Sequence, residues 1–321
     1  MGFNPQFLFF LVIASITANA PAWAQPGLAT RNLNPILLPF YLPAYSSPSI
    51  DNKWQISHSF YITNNFSVEE SDDEMLIIDV ENYRYVFDLS YRRENWVLQA
   101  SLPLMFSRGG EFDTAIEEWH KFFGLPGGGR GAYDKNQIAI EYQKNGVTHY
   151  SQKSPGNAPG DLSFALGYFP VKSQTGFYIG VELPTGSASD FSGNEAIDSA
   201  TWVTHRQKIN AKAQWQGLVG ISFPGNGEVL DGLISNQILF AQLGIDHRFN
   251  EDLSVMLQLD LHSATIKDSQ LRAFGNSVQL QLGFKFDQLI EDQSVDLFFS
   301  EDILVGSAPD IGIGLRLSQE F

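Results

Sequence analysis

The sequence predicts an all-β protein: a transmembrane antiparallel β-barrel of the outer-membrane type, with an N-terminal lumenal segment and one short helix in an outer loop. Three observations carry this. Apolar and polar residues alternate with a period of two, in runs of about ten residues, the length that crosses a bilayer when tilted. The apolar faces bear Tyr, Trp and Phe near the strand ends, as an interfacial aromatic girdle does. A secretory leader stands in front, and no later apolar run is long enough for a transmembrane helix.

The composition excludes several alternatives. In 321 residues, 20 Lys+Arg stand against 36 Asp+Glu, a formal net charge of −16. That charge repels phosphate, so nucleic acid is not an expected partner. No Cys is present, which removes disulfide scaffolds, zinc–thiolate centres and thiol nucleophiles. Aromatic residues at 13% argue against disorder.

Residues 1–24 read as a signal peptide. The apolar run starts at Phe7 and closes on Ala22-Trp23-Ala24 before Gln25. The n-region lacks Lys and Arg, and no Cys follows for a lipid anchor. Sec-type export, cleavage and residence in the bacterial outer membrane follow as expectations. Residues 25–52 carry Pro26, Pro35, Pro39, Pro43 and Pro48, so they cannot form a central strand. Their apolar stretch Ile36–Leu42 would be costly in water. The expectation is a plug that tucks into the lumen or its mouth; a flexible periplasmic tail is the alternative.

Residues 53–321 are the barrel. Trp54/Ile56/Phe60/Ile62, Tyr83/Tyr85/Phe87/Leu89/Tyr91 and Leu253/Val255/Leu257/Leu259/Leu261 show the alternation well. Short turns are expected at Arg92–Glu94, Asn145-Gly146, Pro170–Thr175, Trp215–Gly217, Asn250–Asp252 and Gln288–Asp292. Long loops are expected at 65–74, 108–135, 154–160, 185–204, 225–236, 263–275 and 304–309. Short and long connections alternate, as periplasmic turns and outer loops do, and they join about fourteen strands, with twelve as the alternative. Phe321 ends an alternating final strand, the pattern that barrel-assembly machinery reads.

The 108–135 loop contains Thr114-Ala115-Ile116-Glu117, a capping box, followed by Trp119 and Phe123 at helical spacing and a Gly124…Pro126 stop. This helix either folds over the mouth or lies on the outer leaflet. Trp119, His120 and Phe123 are its candidate ligand contacts. In the wall, Asp260 and His262 share the polar, lumenal face of one strand and are further candidates. Serving that face too are Glu141, Glu182, Lys212, Asp246, Arg248, Lys285 and Arg316, a mixed lining with no clear ion preference. The acidic run Glu69–Glu74 is either a solvated loop or a place where divalent cations bridge to lipopolysaccharide. No metal-ligand spacing occurs, and neither a cofactor nor a catalytic residue is expected.

Several runs resemble a family. Glu118-Trp119-His120-Lys121-Phe122-Phe123-Gly124-Leu125-Pro126, Arg31-Asn32-Leu33-Asn34-Pro35, Phe223–Leu230, Leu257–Ser263 and Ser300-Glu301-Asp302 with Ala308-Pro309-Asp310 are similar to a family of uncharacterised proteobacterial outer-membrane β-barrel proteins, a domain-of-unknown-function family of the three-thousand series. The resemblance implies a single barrel and no established activity. Leu183-Pro184-Thr185-Gly186 also resembles a strand-end motif of barrels that import hydrophobic compounds.

The leading expectation is a monomeric plugged barrel that binds or passes a small hydrophobic molecule. Its partners would be outer-membrane lipid, lipopolysaccharide and the assembly machinery. One alternative is a structural, envelope-organising barrel without a conduit. Another is a lipid-modifying enzyme using His262 with Ser277 from a neighbouring strand.

Overall fold

The structure is a computed structural model that describes residues 27–44, 53–110, 112–123, 135–171, 173–290, 293–304 and 306–321. The signal-peptide reading, 1–24, falls outside the described residues. Fifteen antiparallel strands form one sheet. They are β1 (Trp54–Glu70), β2 (Glu74–Arg93), β3 (Trp96–Arg108), β4 (Ala139–Lys144), β5 (Val147–Gln152), β6 (Asn157–Pro159), β7 (Leu162–Tyr168), β8 (Thr175–Leu183), β9 (Asp198–Lys208), β10 (Ala213–Phe223), β11 (Ile238–Arg248), β12 (Leu253–His262), β13 (Ser277–Ile290), β14 (Gln293–Asp302) and β15 (Ile311–Glu320).

Strands β1, β2, β3 and β7 to β15 close on themselves through β1–β15, from Gln55↔Glu320 to Asn64↔Ile311. Twelve strands therefore form the barrel, and the expectation of about fourteen is corrected to its alternative. The error lay in β4 and β5. They alternate and turn at Asn145-Gly146 like wall strands, with both turn residues at positive φ. Yet among the described residues β4's neighbour besides β5 is the far end of β2, from Glu74↔Lys144 to Asp79↔Ala139. They make a hairpin on the outer side, within the single long connection from β3 to β7. Parity stays even.

Smaller expectations also change: the loop expected at 185–204 ends before β9, which begins at Asp198. β1 runs to Glu70 and β2 starts at Glu74, so 65–74 is mostly strand and the first outer turn is tight. Trp215, Gln216 and Gly217 lie inside β10, and the turn falls just before it. There the Asn210 carboxamide oxygen accepts from the Lys212 and Ala213 N–H groups at 2.8 and 2.9 Å. Glu141 and Lys212 are not lumenal, since one sits in the outer hairpin paired with Lys153 and the other in this turn.

The barrel is inside out. Leu257, Leu282, Phe284, Leu297 and Ile313 point outward and are exposed, while Gln258, Gln279, Gln281, Asp296 and Arg316 are buried within. The outward band suits hydrocarbon; the inward one must be satisfied by hydrogen bonds. The start of helix α1 (Asp113–Phe123) is tied to the outward face of the β1–β2 pair. Asn64 and Glu81 belong to the outward-facing residues of β1 and β2. Asn64 Nδ2 donates to Asp113 Oδ1 at 3.1 Å, and Phe112 N–H donates to Glu81 Oε2 at 3.2 Å.

Candidate functional site: the occupied lumen

Residues 27–44 fill the outer half of the lumen. Apolar residues Leu28, Leu33, Ile36, Leu37, Leu38, Phe40 and Leu42 are all buried there. Pro35–Leu37 form a single 3-10 turn, which Asn34 begins by accepting from Ile36 N–H. Proline at the first position suits that turn because its missing N–H would have no partner.

Without a ladder, the segment's backbone groups need wall partners. Gln258 supplies two: its Oε1 accepts from Leu28 N–H at 3.2 Å, and its Nε2 donates to Leu28 O at 3.1 Å. The Tyr61 hydroxyl donates to Ala29 O at 2.6 Å. Gln242 Nε2 donates to Thr30 O and to Asp260 Oδ2, both at 2.7 Å. Tyr41 N–H donates to Asp198 Oδ2 at 2.9 Å, and the Ser222 hydroxyl donates to Tyr41 O. Two wall glycines admit the segment. A Cβ on Gly283 would lie 2.5 Å from Leu28 Cδ2, and one on Gly180 would lie 2.4 Å from the Tyr41 hydroxyl.

Asn32 is the tightest joint. Its Nδ2 lies 2.8 Å from His262 Nε2, 3.1 Å from Ser277 Oγ and 2.7 Å from Ser307 O. His262 Nδ1 lies 2.9 Å from Ser263 O, which can only accept. Nδ1 therefore carries the proton and Nε2 accepts from Asn32. Both ring nitrogens of this neutral imidazole are engaged, and Ser277 Oγ also takes the Ser307 hydroxyl at 3.2 Å. The geometry holds no Ser–His dyad. Asp260 and His262 thus both serve the segment, Asp260 through Gln242. The side chains of Trp119, His120 and Phe123 lie outside the described ones; their backbone is in α1.

Above the segment, the outer connections fold into a dome. Ile36 and Phe40 join Leu76 and Ile78 of β2, Tyr142 of β4, and Leu230 and Phe274 in one apolar cluster. Carboxylates from the acidic run hold it. Glu74 accepts from the Tyr142 hydroxyl at 2.6 Å, Gln270 N–H at 2.8 Å and the Ser269 hydroxyl at 3.1 Å. Glu69 accepts from Arg272 N–H. These two buried acids bind loop 263–276 rather than facing a lipid headgroup. In the same layer, the Thr185 hydroxyl of the Leu-Pro-Thr-Gly run donates to Gly160 O at 3.0 Å and accepts from Leu162 N–H at 2.9 Å, stapling the start of β7.

Below the segment lies a cavity of about 130 Å³. Tyr41, Tyr61, Val86 and Trp202 supply its apolar lining, and Arg31, Arg84, Arg316, Asp88 and Glu182 its charges. Burial and the adjacent Arg84 lower the Arg31 guanidinium from its ordinary value, while Glu182 and Asp260 oppose the shift. Arg31 instead donates within its own segment, to Phe40 O at 2.6 Å and Leu38 O at 3.3 Å. Arg84 lies over the Tyr61 ring, 5.8 Å from its centroid. The sequence reading named Arg31 only within a run that resembles the family, gave it no site role, and did not name Arg84. Arg84 alternates with outward-facing Tyr83 and Tyr85, which was the available signal; nothing local marks Arg31.

An outer membrane channel from Pseudomonas putida F1 is similar in fold: 12% identity, 88% of this chain and 98% of that one covered, TM-score 0.56. A Pseudomonas aeruginosa FadL homologue aligns at 8% identity over 84% of this chain and 89% of the other, with a TM-score of 0.38. The KdgM porin aligns at 9% identity over 83% and 99%, with a TM-score of 0.42. The first likeness establishes the outer-membrane barrel fold; the other two are too distant to add to it. Among curated proteins none matches in sequence. Residues 8–321 match the family described as "Protein of unknown function (DUF3187)", and the chain belongs to that family.

Proposed function

We propose that this protein is an outer-membrane channel closed in its resting state by residues 27–44, which binds and passes a small, largely apolar molecule when that segment shifts. The observation that supports it most is the cavity beneath the segment, part aromatic and apolar, inside a wall of the channel fold. The segment is held by separate hydrogen bonds rather than by strand pairing, so it can release stepwise. Smaller voids extend the route. One of about 10 Å³ touches Leu38, Arg84 and Tyr83, and an open notch at Tyr83, Phe106 and Arg108 reaches the outside next to Gly109, Gly110 and Asn136. No enzymatic step is part of this reading. Export of the precursor to the outer membrane, lipid and lipopolysaccharide around the wall, and assembly through β15 with Phe321 complete it.

The dome favours a second reading, a permanently closed structural barrel. Conductance in a planar bilayer separates the two. The mature protein should be silent, and Gln258→Ala with Asn32→Ala should produce openings. A lock tests the same motion. Leu28→Cys with Gly283→Cys places two thiols at disulfide distance, because a Cβ on Gly283 would meet the Leu28 side chain at 2.5 to 3.2 Å. Added to the loosened variant, the oxidised lock should suppress the openings and a reductant should restore them. Steady conductance by the intact protein would sink the closed-state proposal. Silence of the folded, loosened variant would leave the structural barrel.

A further inference from the structure

The cavity under the lumenal segment has an unusual charge arrangement. Three guanidiniums line it, and among the described residues none of the three makes an ion pair. Arg31 and Arg316 are almost wholly buried. Arg316 donates through Nη2 to Ser57 Oγ at 3.0 Å, but among the described residues its Nε and Nη1 have no partner, nor has Nε of Arg84. These two arginines flank β1 on its inner face, since Arg84 stands opposite Tyr61 and Arg316 opposite Ser59.

Buried guanidinium N–H groups are costly unless they meet an acceptor. Asp88 and Glu182 also face the space, so the lining carries three positive and two negative groups. The surplus favours an anion, and the planar forks of Arg84 and Arg316 suit an oxyanion with two oxygens. Size narrows the class further. At about 130 Å³, the space is close to the roughly 150 Å³ of an apolar cavity known to accept benzene. A long acyl chain would not fit. Tyr41, Tyr61, Val86 and Trp202 offer an apolar and aromatic bed for a ring.

We propose that the cavity is a binding site for a small carboxylate of about benzoate size, its carboxylate between Arg84 and Arg316 and its apolar body against Tyr41 and Trp202. This deepens the channel reading by naming the ligand class, but it requires only binding, not passage. It can therefore fail while conductance gating succeeds, and the reverse.

Calorimetric titration of the refolded, mature protein in detergent tests it, with benzoate, toluene and benzylamine as probes. Benzoate should bind measurably, and benzylamine, with the opposite charge, should not. Arg84→Gln and Arg316→Gln should each weaken benzoate about tenfold or more while changing toluene binding little, as loss of a charge-assisted hydrogen bond implies. Lys153→Gln, in the outer β4–β5 hairpin where it pairs with Glu141, should leave benzoate affinity unchanged. Heat-modifiable migration on a gel confirms that each variant has closed its barrel; should either Gln variant fail, the corresponding Lys variant takes its place, keeping the charge but losing the fork. No benzoate binding by the folded wild type overturns the proposal. So does benzoate binding that survives both arginine replacements.

Discussion

Asn32 is one side chain, yet its amide connects the lumenal segment to β12, β13 and the β14–β15 loop. Replacing it by Ala leaves His262 Nε2 and Ser307 O without that donor, at a cost of about 1–3 kcal/mol in seating the segment. Hydrogen exchange at the Asn34 and Ile36 amides should accelerate in Asn32→Ala, while exchange in mid-β12 stays slow. Gly180→Leu works on the same segment through volume. Its side chain would enter the space of the Tyr41 ring, so Tyr41 must leave its seat or the wall must bend. Limited proteolysis within 27–44 should speed up in that variant. The inward direction of Asp260 and His262 was legible in the sequence, because a strand's period of two assigns faces. What they meet was not. Asn32 and His262 lie 230 residues apart, and no local pattern encodes such a contact.

Among the elements, β2 shows best what alternation does and does not reveal. Its 20 residues serve two environments. The half nearer Arg93 is wall, with aromatics facing outward. The half nearer Glu74 rises past the wall and buries Leu76 and Ile78 in the dome. Both halves alternate, so the pattern alone could not say where the wall stops. The same ambiguity made β4 and β5 look like wall strands, since an apolar face packed on Phe274 reads like one packed on lipid. The Glu74 carboxylate ties the β2 extension to loop 263–276 and pairs with Lys144 at 3.5 Å. Glu74→Ala leaves Tyr142, Ser269 and Gln270 without their acceptor, a loss of about 2–4 kcal/mol to the dome. Protease nicking in 263–276 should increase while the barrel remains heat-modifiable on a gel. The helix was legible as an element; its seat was not, because that depends on Asn64 and Glu81 facing outward at the level where the loop returns.

For the whole molecule, polarity decides direction: water-like groups inside, hydrocarbon-like groups outside. Ile179, on the outward side of β8, is 62% exposed. Ile179→Arg should lower refolding stability in lipid vesicles by about 2–4 kcal/mol if that position sits near the midplane and less if it sits near an interface. Refolding titrations with urea measure it. Fold class and wall faces were legible because one physical demand, a closed sheet with no free edge, repeats in every strand. The state of the lumen was not, because it depends on side chains brought together only by closure.

That dependence sets an order of events. The β1–β15 seam joins Gln55 to Glu320 and Trp54 to Phe321, and until it forms there is no enclosed lumen. Residues 27–44 precede every strand in the chain, yet their partners on β1, β9, β10, β11, β12 and β13 are all in place only after the last strand has docked. The segment made earliest is thus among the latest to fold. In the interval its apolar stretch is exposed, a slow, non-local step of the kind that leaves a chain open to aggregation and in need of a chaperone.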